Sequence, residues 1–66
     1  MNYGELLKYY REDVGLSQRE LAKRIGTSSQ NVNRWERGEV VPSIDFFIKL
    51  ADFYGISLDE LVGRKI

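Results

Sequence analysis

Residues 16–38 read LSQRELAKRIGTSSQNVNRWERG, two short apolar patterns joined by a single glycine-led turn. In LSQREL, Ser17 is set to cap a helix, its oxygen accepting from the backbone of Glu20 while Glu20 reaches back to Ser17, a capping box. Leu16 before the cap and Leu21 inside the helix form the matching hydrophobic staple. Leu21, Ala22 and Ile25 then supply one buried face, and Gly26 ends the helix where a left-handed residue is wanted. Only Thr27 separates that glycine from the next cap, Ser28. Helices joined so tightly cannot lie antiparallel with comfortable room, so a steep crossing of the helix-turn-helix kind is expected. A small side chain is needed where two axes meet, and Ala22 lies one turn before Gly26. The second helix of the pair, spanning about 28–37, has two firm apolar anchors, Val32 and Trp35, at i and i+3. Ser28, Ser29, Gln30, Asn31, Asn33 and Arg34 are left with no core to face.

Outward from this pair, the periodicity gives helices and no strands. A first helix is expected over Tyr3 to Asp13, with Tyr3, Leu7 and Tyr10 on one face, Leu6 beside them and Gly15 ending it. After Gly38 the run EVVP is extended, because Pro42 disfavours a helical Val41. Ser43 caps a fourth helix that ends at Gly55, with Asp45 placed favourably in its first turn. Ile44, Phe47, Ile48, Leu50, Ala51 and Tyr54 are expected to form its core face. Ser57 caps a last short helix, with Glu60 three residues on. The fold class is therefore all-α, five helices in one domain over residues 1–66.

Composition excludes several functions. Sixty-six residues bury only about 60% of the unfolded chain's surface, which leaves no room for a cleft between domains. With no cysteine and no histidine, thiolate metal sites, disulfides and the commonest acid/base side chain are absent, and no cofactor or metal is expected. No signal peptide and no apolar run of spanning length appears, so a soluble, cytoplasmic protein without a membrane partner is expected. The net charge is zero but unevenly spread: residues 1–38 carry seven Lys/Arg against five Asp/Glu, and residues 39–66 carry three against five. Residues 17–38 alone hold five basic side chains against two acidic ones, a local basic face compatible with phosphate.

A short helix pinned by two apolar residues and presenting Ser, Gln, Asn and Arg outward meets the demands of the DNA major groove. The chain resembles the phage-repressor and Cro-like, XRE-like helix-turn-helix regulators, whose fold is lambda-repressor-like. The resemblance runs from Tyr3 to Leu61 and rests on the 16–38 stretch, on Pro42-Ser43-Ile44 and on YGISLDEL. It implies a transcriptional regulator, most often a repressor, that binds double-stranded DNA as a homodimer on a palindromic operator, with the third helix reading the bases.

Carried over position by position, the resemblance puts base reading on Ser28, Ser29, Gln30, Asn33 and Arg34. Gln30 suits adenine and Arg34 suits guanine. Backbone contacts fall on Gln18, which similar proteins also use to brace the reading helix, and on Arg19, Asn31, Arg37 and Ser43. Glu36 is a negative charge facing a polyanion, and the resemblance supplies its reason: a structural ion pair with Arg11. Glu39 departs from the family, since it would repel the phosphates that a basic residue there would grip. Phe46 and Phe53 are large apolar side chains where similar proteins are smaller or more polar. With Val62 and Ile66 they form a candidate dimer or partner surface. An alternative is an antitoxin-type protein that binds a protein partner through that surface. An enzyme is not expected: there is no histidine or cysteine, no glycine-rich phosphate loop and no paired carboxylates in a pocket that so small a helical domain could form.

Overall fold

The computed structural model describes residues 2–63, and in them five helices follow one another: α1 (Tyr3–Asp13), α2 (Gln18–Ile25), α3 (Ser29–Glu36), α4 (Ile44–Tyr54) and α5 (Leu58–Val62). Among the described residues there is no strand. Each helix begins at a polar cap. The capping box at Ser17 is complete, with Glu20 N donating to Ser17 Oγ and Ser17 N donating to Glu20 Oε1, each at 3.0 Å. The bond from Ser17 N, with the Ser17 hydroxyl beside it, lowers the Glu20 carboxyl pKa from its ordinary value. Asn2 caps α1 through Oδ1, which accepts from Glu5 N at 2.9 Å, a cap the sequence pattern alone did not single out. At α5 the expected box takes a different form: Ser57 Oγ accepts from Glu60 N and donates its own proton to Glu60 Oε1.

The core is drawn from all five helices: Leu7, Leu21, Ala22, Ile25, Val32, Trp35, Phe47, Leu50, Ala51 and Leu61. α2 packs on α3, α1 on α3, and α4 and α5 close the far side. Gly26 carries φ +79°, and both its N–H and that of Thr27 donate to Ala22 O, so the chain turns within three residues into the next cap. Ala22 is 2% exposed.

α4 departs from expectation. Phe47, Leu50 and Ala51 are buried, but Ile44 and Ile48 are 63% and 42% exposed. The helix is rotated so that Phe46, set by the family resemblance on a candidate dimer or partner surface, lies half-buried with its ring 5.3 Å from that of Trp35. The reason lies outside α4: Trp35 needs a flat apolar lid, and Phe46 supplies it while the two isoleucines turn to solvent. Lys49 Nζ stands 5.3 Å from the Phe46 ring.

One close approach sets the position of α1. Gly4 is buried in its first turn, and a Cβ there would stand 2.6 Å from Glu36 O and 2.9 Å from Trp35 O. Only glycine lets α1 lie this close to the end of α3. Tyr3 Oη donates to Val40 O at 3.2 Å, tying the same end of α1 to the loop after α3.

Candidate nucleic-acid interface

The site is built on α3 and on what stands behind it. Val32 and Trp35, 1% and 4% exposed, fix the helix by its inner face. Ser28 caps it, Oγ accepting from Asn31 N at 3.1 Å, which leaves the hydroxyl proton free to donate outward. Ser29, Gln30, Asn31, Arg34 and Arg37 are exposed. Gln30, Arg34 and Arg37 follow at helical spacing, so one outward face presents an amide and two guanidinium groups. Asn31 is tied locally, its Nδ2 donating to Thr27 Oγ1 at 2.9 Å.

Behind this face lies a buried polar latch. Arg11 Nε donates to Glu36 Oε2 at 2.6 Å and Arg11 Nη2 to Glu36 Oε1 at 3.0 Å, a bidentate pair whose side chains are 11% and 3% exposed. Arg11 Nη1 donates to Leu16 O at 2.8 Å, so the guanidinium also fixes the entry to α2. The hydrogen bond to Glu36 raises the Arg11 pKa above its ordinary value against the opposing effect of burial. Gln18 Nε2 donates to Glu36 Oε1 at 3.0 Å, and Gln18 Oε1 accepts from Asn33 Nδ2 at 3.3 Å. The carboxylate can only accept, which sets the orientation of the Gln18 amide and, through it, that of Asn33. Residues 11, 18, 33 and 36 thus lock α1, the start of α2 and α3 together.

This network changes what some of the expected site residues are doing. Asn33 is half-buried and its Nδ2 donates to Gln18 Oε1, so it sits at the inner edge of the exposed row. Gln18 braces α3 directly. Arg19 is exposed at the start of α2. Arg37 Nη2 lies 2.9 Å from Glu39 Oε2, both side chains open to solvent at 65% and 46%. Ser43 caps α4, with Phe46 N donating at 3.4 Å. Of the candidate partner surface, Phe46 is half-buried against Trp35, while Phe53 and Val62 are each 37% exposed. Ile66 lies outside the described residues. Gly4 carries no spacing signal, and the periodicity that put Tyr54 on the core face gave no sign of where its hydroxyl would lie. The Tyr54 hydroxyl is buried beside the Arg11–Glu36 pair without a hydrogen-bond partner among the described residues, and burial pushes its ionisation well above the ordinary tyrosine value.

No group of His, Cys, Asp and Glu among the described residues could hold a metal ion, and none of the described helices is long and apolar enough to cross a membrane. An all-α domain with a glycine turn between two packed helices, the second braced inside and polar outside, is a helix-turn-helix domain. Residues 7–61 match the helix-turn-helix family, and the chain belongs to that family of DNA-binding transcriptional regulators. It is 38% identical over 55 residues to an HTH-type transcriptional regulator of Methanocaldococcus jannaschii, covering 83% of each chain. It is 36% identical over 64 residues to the cryptic phage CTXphi transcriptional repressor RstR of Vibrio cholerae. That match covers 97% of this chain but 57% of RstR, so the chain spans little more than half the length of that repressor. In structure it is similar to the P22 c2 repressor solved in complex with a synthetic operator, with a TM-score of 0.91, 26% identity and 98% of each chain covered.

Proposed function

We propose that this protein is a transcriptional repressor that binds a palindromic operator as a homodimer, working in the cytoplasm where that DNA lies, with residues 1–66 acting as a single DNA-binding unit. The observation that carries the reading is α3: an exposed polar row on a helix whose back is fixed by a buried bidentate ion pair. Base edges need donors and acceptors held to a fraction of an ångström, and a braced helix supplies them. Ser28, Ser29, Gln30 and Arg34 read the bases, Gln30 bidentate to adenine and Arg34 to guanine. Asn33 joins them at the edge of the row while holding Gln18. Arg19, Asn31, Arg37, the start of α2 at Gln18 and the capped N-terminus of α4 at Ser43 take the phosphates. No catalytic role is assigned: the exposed row holds no nucleophile beside a base, and the buried charges are spent on each other.

The test is selection from random duplexes at near-physiological salt, with sequencing of what is retained. The expected result is a palindrome with half-sites about one helical turn apart. Absence of enrichment at every protein concentration would overturn the proposal.

A further inference from the structure

The DNA-binding reading leaves Glu39 unaccounted for. It stands in the loop after α3, two residues beyond Arg37 and across Gly38, whose φ of +74° folds the chain back so that the two side chains meet at 2.9 Å. Both are largely in water, and of the ion pairs among the described residues this is the exposed one, the other being the buried Arg11–Glu36 latch. An exposed pair contributes little to folding, so its geometry is not explained by stability. Tyr3 Oη holds the carbonyl of Val40, the next residue, so the Glu39 backbone is tethered beside Arg37.

We propose that Glu39 is an internal stand-in for a DNA phosphate: its carboxylate occupies Arg37 in the free protein and must be displaced when a phosphate takes the guanidinium. This rests on the placement of Arg37 at the DNA backbone under the proposed function. The carboxylate and the phosphate oxygens are chemically alike as bidentate partners for a guanidinium, so they compete for one cation. Every duplex must win that exchange, whatever its sequence. Glu39 therefore lowers affinity for all DNA alike and sets how far base contacts must go to hold the protein on a site. It is an affinity-setting residue that acts through Arg37 and touches no base.

The experiment is a double-mutant cycle of Glu39→Gln and Arg37→Ala, read on two probes: a random-sequence duplex in solution and immobilised heparin, a polyanion without bases. Glu39→Gln should tighten duplex binding about two- to fivefold at low salt, with the gain shrinking as salt screens the exchange. On heparin it should elute at higher salt. In the Arg37→Ala background Glu39→Gln should change neither readout. An equal gain with and without Arg37 would make Glu39 a plain repulsive charge and overturn the inference. So would no gain in either background. If the wild type fails on duplex while the Arg37-dependent gain appears on heparin, the DNA-binding reading falls and the exchange at Arg37 stands.

Discussion

Replacing Glu36 with glutamine keeps the side chain's shape and removes its charge. Arg11, 9% exposed, would then sit beneath α3 with a guanidinium that can neither reach water nor find an anion. Two charge-assisted bonds from Arg11 and one from Gln18 end on this carboxylate. Breaking one side of a buried pair costs about 3–5 kcal/mol, most of it from the stranded partner. A domain of this length has a total stability of roughly 3–10 kcal/mol, so the single change removes a large part of it. At about 4–8 °C per kcal/mol, the melting temperature should fall by at least about 12 °C. Urea unfolding followed by helical circular dichroism measures the loss. Replacing both partners, Arg11→Met with Glu36→Leu, strands no charge and should recover much of the stability. A loss below about 1 kcal/mol for Glu36→Gln alone would mean that water reaches the pair, and the latch would not be what fixes α3.

Gly4→Ala gains up to about 1 kcal/mol in helix propensity. It should still lose about 1–3 kcal/mol net, because the new methyl meets two backbone carbonyls that cannot swing aside; an unchanged urea midpoint would show that α1 has room to move. Tyr54→Phe removes a buried hydroxyl that has no partner among the described residues and should be neutral or stabilising by roughly 1 kcal/mol. Because burial raises the folded pKa of Tyr54 above its unfolded value, its contribution is intact below about pH 10 and lost as pH rises further. Melting curves should therefore show an alkaline fall in the wild type that flattens in Tyr54→Phe. Gln30→Ala should cost about 1–3 kcal/mol on the preferred duplex and relax discrimination at one base pair, whereas Arg37→Ala should weaken all duplexes alike and reduce the salt slope by about one. Identical shifts in specificity for the two variants would refute the assignment of the exposed row.

The helix boundaries were legible because each is written locally: Ser17 with Glu20, Gly26 before Ser28, Ser43 after Pro42. Capping chemistry acts over three or four residues, and so can be read over three or four residues. Family resemblance carried the Arg11–Glu36 pair, which joins residues 25 apart in sequence and has no local signature. What failed was the facing of α4. Its apolar residues run Ile44, Phe46, Phe47, Ile48, Leu50, Ala51, Phe53 and Tyr54, far more than one helix face can hold. Periodicity cannot choose among so many; the choice was made by Trp35, which took Phe46 as its neighbour and left Ile44 and Ile48 outside. Gly4 went unread for a related reason: a glycine in a first turn has no pattern, and its role exists only when α3 arrives.

Trp35 is the sole tryptophan, and it lies 4% exposed on the side of α3 turned away from the polar row. That position gives the molecule an optical division of labour. Its emission is set by the apolar shell of the core, so it should redden when the chain unfolds and stay nearly still when something settles on the opposite side of the helix. A label on the nucleic acid would follow occupancy, while the indole follows integrity. If the indole signal moves together with the label, the ligand is bending the core under α3, and the domain yields to the groove instead of presenting a rigid edge to it.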